Sequence, residues 1–454
     1  MKAFLTTLRA GLGVLGACIA LVPSSSLANG RYPLANQLVV DPKNPAHMVA
    51  RATFGILDTS DGGHTWTWIC EDAVGYFGVE DPAIAVMADG STVVASSKGL
   101  SISRDGGCSW EKRAPSGDNR AGIDLAVDPT NPHEALALES SSSSGVYSVY
   151  LVKTTDDGAT WNDVVRLPQG ILAETVEIAP SNPDRVYVSA RVTPSQESAL
   201  LRSDDGGLTW SQSLIDVPVA ASAFIGAVDP KNPDTVYVRV KVPTNTIGRL
   251  HMTSDAGATW TQIWKGQGDV AGFALSPDGA TVAVGGPDSG VNVASTSDFL
   301  FSQPNPLGPS CLTWVGGKLF ACGKEAIDLF SIGYSPDKGV SFVPLLNLPD
   351  ITPRVCGAMT SAAVCASSWG MIASTIGIDA GAPDASMPIT MEPPPKIDAA
   401  GGWNCAVAQR RERHRAWAWG AFVAFAALWA ARRARVRVPS RFGPKSSPLQ
   451  STQM

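Results

Sequence analysis

Aspartate carries the most regular chemistry in this 454-residue chain. One segment reads Thr59-Ser60-Asp61-Gly62-Gly63-His64-Thr65-Trp66, and its pattern returns with Asp105 and Trp110, Asp156 and Trp161, Asp205 and Trp210, and Asp255 and Trp260. A reduced copy runs from Thr296 through Asp298 to Ser302, and a last one, Asp337 to Phe342, replaces Trp by Phe. A carboxylate in such a frame could bind calcium, act as a general acid, or cap a turn. A helix-loop calcium site needs further acids at fixed steps and a closing Glu, which are missing. Capping needs only what is present: the Asp accepts N–H groups of its own turn, the Gly takes positive φ, and the Ser/Thr hydroxyl satisfies a remaining group. The Trp then packs a large ring between layers. The aspartates are expected to be structural.

Other reactive residues support no catalytic constellation. The histidines are His47, His64, His133, His251 and His414, and no Gly-x-Ser-x-Gly accompanies them, so a hydrolytic triad has no support. The acids Glu71, Asp72, Glu80, Asp81 and Glu174 read as solvated loop charges. Cys311 and Cys322 flank a Gly316-Gly317 hairpin whose register sets them opposite each other, which predicts a disulfide. Cys356 and Cys365 are close in sequence and are paired here; elimination leaves Cys70 with Cys108, although these two belong at opposite rims of their units. There is no CxxC and no Cys/His cluster to suggest a metal, and no cofactor is expected.

The elements that carry these residues repeat. Trp-to-Trp spacings of 44, 51, 49 and 50 suit four short strands with their turns. A second turn precedes an alternating apolar run in most units, as in Asp41-Pro42-Lys43-Asn44-Pro45, Asp128 to Pro132, Pro180 to Pro183 and Asp229 to Pro233; Ala88-Asp89-Gly90 and Pro277-Asp278-Gly279 replace it in two others. Each unit therefore reads strand, turn, strand, strand, aspartate turn, strand.

These segments resemble the Asp-box (bacterial-neuraminidase) repeats of sialidases, xyloglucanases, sortilin-type receptors and photosystem II assembly factors. The resemblance covers about residues 30–375 and implies an all-β, seven-bladed β-propeller. It does not imply one function. A sialidase-like site would need three arginines, a Tyr–Glu nucleophile pair and an Asp. Arg31, Arg51, Arg120, Arg191 and Arg239 and Tyr76, Tyr147, Tyr150 and Tyr187 are available, but the family's Phe/Tyr-Arg-Ile-Pro motif is missing. A xyloglucanase-like site needs a cleft between two propellers, and this chain supplies one. A binding or scaffolding propeller is therefore expected, with an extracellular glycan or protein as ligand at the channel mouth; a glycoside hydrolase is the alternative. The loops Arg191–Glu197 and Val242–Ile247 are candidate contributors to that mouth.

The ends read as addresses. Residues 1–28 have the layout of a secretory signal, with Lys2 and Arg9, an apolar run and Ser26-Leu27-Ala28. Residues 376–404 form an Ala/Pro/Asp-rich linker that cannot build a core. Within 405–437, the run Ala416 to Ala431 is flanked by arginines; its length as a helix, about 24 Å, falls short of a ~30 Å hydrocarbon core. With Cys405 ahead of it, this segment resembles the C-terminal sorting signal of myxobacterial surface proteins, which implies processing and lipid attachment at Cys405; an ordinary retained anchor is the other reading. Residues 438–454 are a basic polar tail. Residues 29–404 carry 23 basic and 40 acidic side chains, a net of −17, which argues against nucleic acid as a partner. A monomer on the cell envelope, tethered through its C-terminus, is expected.

Overall fold

The computed structural model describes residues 31–378, apart from 114–119, 144–145, 244–246 and 303. Seven antiparallel sheets follow one another along the chain, over 35–69, 83–113, 121–166, 171–214, 222–267, 272–295 and 311–346. Six have four consecutive strands; the sixth blade has three described strands. The innermost strands are Ala35–Val40, Ala83–Val86, Ala121–Val127, Ile171–Ile178, Ser222–Val228, Gly272–Leu275 and Cys311–Val315. Each neighbours the next, and the last packs on the first. The architecture is a seven-bladed β-propeller.

Burial explains the strand sequences. Second strands such as Val186–Val192 (VYVSARV) are covered on both faces by adjacent blades and read as nearly continuous apolar runs. Outer strands such as Ser211–Leu214 (SQSL) are largely exposed and polar. Leu138, Leu151, Val186, Val188 and Leu201 form one of the buried clusters, between blades three and four.

The aspartate turns join third strand to fourth. Asp61 accepts Thr59 Oγ1 at 2.8 Å, Thr65 N at 2.9 Å and Thr65 Oγ1 at 2.6 Å, while Gly63 N donates to Thr59 Oγ1 at 3.1 Å. The same four bonds recur around Asp156, Asp205, Asp255 and Asp337. The turn glycine is required twice over: Gly207 has φ 97°, and a Cβ there would lie 2.3 Å from Leu151 of the preceding blade. The first turn of each unit sits beside this one, with Gly62 N donating to Ala46 O at 2.8 Å and Gly206 N to Asp184 O at 2.8 Å.

Blade seven closes on blade one through side-chain hydrogen bonds and through a segment that returns from the end of the propeller. Within blade seven, Ser310 Oγ donates to Ala35 O at 2.6 Å and Thr313 Oγ1 to Leu38 O at 3.0 Å, both in blade one. Residues 347–376 then run back across the rim as a strap. Thr352–Pro353 pairs in parallel with the outer strand Thr67–Ile69 of blade one. Cys356 is bonded to Cys108 in blade two, Cys365 to Cys70 in blade one, and a helix, Ala366–Thr375, follows. Trp369 of that helix meets Trp68 with ring centroids 5.6 Å apart.

The expected Cys356–Cys365 and Cys70–Cys108 bonds are therefore corrected. The segment that carries Cys356 and Cys365 is stretched over two blades, so each meets a different partner, Cys365 reaching Cys70 in blade one and Cys356 reaching Cys108 in blade two. Cys311 and Cys322 are paired in the hairpin register and bonded. Three disulfides fit maturation in an oxidising, extracellular compartment. Among the described residues no helix is long and apolar enough to cross a membrane; residues 1–28, Cys405 and the apolar run 416–431 lie outside them.

Candidate functional site

The inner strands are not regular. Register shifts bulge Asn36, Ile123, Glu174 and Gly226 out of the ladders of blades one, three, four and five. A bulge bends its strand and re-aims the side chains beside it. In three of these blades the residue after the bulge reaches the next blade's inner strand. Gln37 Oε1 accepts Ile84 N at 3.3 Å, Asp124 Oδ2 accepts Val176 N at 2.9 Å, and Thr175 Oγ1 accepts Ile225 N at 2.9 Å. Bulged Glu174 does the same with Ala223 N at 3.0 Å and also takes Arg191 Nε at 3.2 Å.

Along the axis these strands enclose a polar cavity of about 510 Å³, to which all seven blades contribute. Its charged groups are Arg51, Asp124, Glu177 and Arg239. Arg51 is held by Asn36 Oδ1 at 2.7 Å and Pro82 O at 2.8 Å, and Arg239 by Ala271 O at 2.9 Å. Burial lowers the proton affinity of both arginines. The same burial raises Asp124 to about 6, against the backbone N–H of Val176 that favours its anion. Glu177 is pushed up to about 8 by burial and then by the charge of Asp124. Among the described residues, no donor lies within hydrogen-bond range of the Glu177 carboxyl. Mostly protonated at neutral pH, it can donate one hydrogen bond and accept others.

The residues singled out by sequence sit elsewhere. The turn aspartates Asp61, Asp156, Asp205, Asp255 and Asp337 have both carboxylate oxygens engaged within their own turns; Asp205 is held down to about 2 by the Thr209 hydroxyl and backbone N–H. Trp66 and Trp161 are buried, whereas Trp110, Trp210, Trp260 and Phe342 are partly exposed. Of the five arginines, only Arg51 and Arg239 reach the cavity. Arg31 is forked onto Asp81 (2.9 and 2.8 Å) and Arg120 onto Asp163 (2.8 and 3.0 Å), with the Arg120 guanidinium 3.7 Å over Tyr150. Tyr76, Tyr147, Tyr150 and Tyr187 do not line it, nor does Arg191–Glu197 or the described part of Val242–Ile247. The solvated reading also fails for Glu174, which bonds across blades, and for Glu71, raised to about 7 by burial. Sequence reasoning does not single out Asp124 or Glu177, although a signal exists: Asp124 is the one acid in the inner strand AGIDLAV, and Glu177 stands between Val176 and Ile178 in ILAETVEI.

No family profile and no curated protein sequence matches the chain. Solved structures do. Kuenenia stuttgartiensis hydrazine synthase is 13% identical with a TM-score of 0.49, over 69% of this chain and 98% of that one. An ancestral GH74 enzyme is 14% identical with a TM-score of 0.44, and a Hadza microbial sialidase 12% identical with 0.41. These cover 71% and 62% of this chain, which spans only 55% of the GH74 enzyme and 71% of the sialidase. Likeness at such identities concerns the fold alone. The class is a β-propeller, and this one is a seven-bladed ring with a charged axial cavity and a disulfide-bonded rim strap.

Proposed function

We propose that this chain is an exported Asp-box propeller that binds a glycan in its axial cavity without cleaving it. The observation that carries the reading is the Glu177 carboxyl, which faces the cavity with its hydrogen-bonding capacity unused by the protein. Hydroxyl-rich ligands satisfy mixed donors and acceptors, and Glu177, Arg51 and Arg239 supply both kinds. The volume falls in the range of small-molecule sites. In this reading residues 1–28 export the chain, 376–404 space the propeller from the envelope, and Cys405 in the 405–437 sorting segment is the point of attachment.

A second reading, a glycoside hydrolase acting on extracellular polysaccharide, draws on the two carboxyls of one cavity whose proton affinities are pushed apart, about 6 for Asp124 and about 8 for Glu177. One experiment separates the two: a glycan array and a hydrolysis screen on residues 29–404, with Glu177→Gln beside the wild type. Binding without turnover, weakened in Glu177→Gln, supports the binder. Turnover abolished by Glu177→Gln supports the hydrolase. A protein with no glycan retained on the array contradicts both and directs attention to a protein ligand.

A further inference from the structure

A second cavity, of about 980 Å³, lies away from the axis, between blade one and the strap helix. Its walls are apolar and aromatic, with Phe54, Trp68 and Phe77 on one side and Met371 and Ile376 on the other. Phe77 stands at the rim, 63% exposed. The Cys70–Cys365 bond ties the two sides together, so the cavity is a fixed product of the fold.

One end of this apolar space is acidic. Glu71 and Asp72 line it, and Glu71 Oε1 is buried with no hydrogen-bond partner. The one lining cation, Arg31, is already forked onto Asp81 at 2.9 and 2.8 Å. Burial raises the Glu71 carboxyl to about 7 although the charge of Arg31 and the Gly78 N–H favour its anion, and a cation brought into the cavity would favour that anion further. Aromatic faces draw cations too, and Phe77 already holds one: the Lys98 ammonium is 5.2 Å from its ring centroid. We propose that this cavity is a second ligand site, which takes a small aryl- or alkylammonium ion. The apolar body lies against Trp68, Phe54 and Met371, and the ammonium pairs with Glu71.

The test is calorimetric titration of the full-length chain with three probes of one shape: 2-phenylethylammonium, 2-phenylethanol and phenylacetate. The expected order is ammonium first, alcohol weaker by at least about tenfold, and no binding of the acid. Glu71→Gln removes the preference for the ammonium, and Ser368→Trp, which fills the cavity from the helix, removes binding of every probe. Glu177→Gln leaves this binding unchanged, so failure here is distinct from failure at the axis. If Glu71→Gln does not fold, Ser368→Trp decides alone. Equal affinity for the ammonium and the alcohol, binding that survives Ser368→Trp, or no heat at millimolar ammonium overturns the proposal.

Discussion

Replacing the strap's cysteines should expose how the ring is held shut. Cys70–Cys365 spans 295 residues and Cys108–Cys356 spans 248, and the second loop is nested in the first. In the chain-entropy account, closing the outer loop alone is worth about 5.7 kcal/mol. With either bond in place, the other closes only the stretches 70–108 and 356–365, about 47 residues, worth about 4 kcal/mol. The Cys70→Ser/Cys365→Ser pair and the Cys108→Ser/Cys356→Ser pair should therefore each lose about 4 kcal/mol, and the quadruple variant about 10. That larger loss is comparable to the whole stability of an ordinary domain. The hairpin bond Cys311–Cys322 closes 11 residues and serves as the control; its loss should cost about 3 kcal/mol. Guanidinium unfolding under non-reducing conditions gives the four values from midpoints and slopes. A quadruple variant as stable as either pair variant, or a control that costs more than a strap pair, would falsify the entropic account of closure.

Three further outcomes are expected. Trp161, 5% exposed between blades two and three, should cost about 3–5 kcal/mol when changed to Ala, while Ala159→Ser in the same turn costs little; equal melting temperatures would show the ring is not packed as described. His47 lies 3.1 Å from both Asp41 and Asp58, and chiefly the Asp58 hydrogen bond raises its pKa above 6.5. Its stabilisation is thus complete below 6.5 and lost as pH rises through the raised value, so the stability gap between wild type and His47→Gln should shrink with rising pH; a gap that widens contradicts the pairing. Intact mass of the membrane fraction should show a chain lacking 406–454 and carrying a lipid increment at Cys405, and a C-terminus at Met454 would refute attachment there.

The propeller was legible because its punctuation is chemical. Each aspartate turn needs Ser/Thr, Asp and Gly at fixed steps for the bonds seen around Asp61 and Asp205, so the count of turns gives the count of blades. Even the altered copy at Asp337, with Phe342, makes the same bonds. The strap was not legible. Residues 347–365 have no periodic pattern, and the bonds that place them, such as Thr352 N to Trp66 O at 3.1 Å and Ala362 N to Cys108 O at 2.9 Å, are made by backbone that any residue supplies. Sequence proximity then favoured Cys356 with Cys365. The axial site fell between these cases. Bulges at Asn36 and Glu174 leave no mark in a strand's composition, yet they decide which side chains turn toward the next blade. Asp124 and Glu177 stood out only as acids among apolar neighbours.

The strap also changes what damage does to the molecule. With Cys108 joined to Cys356, the last strand of blade two and the whole of blades three to seven lie in one covalent circuit. A protease that cuts once between those residues opens the circuit but frees no fragment. The nicked protein would run as one band on a non-reducing gel and as two after reduction. Its pieces remain at high effective concentration, so the blades on either side of a cut can stay docked and refold together. A broken backbone in a loop would then be a local wound rather than the loss of half a ring.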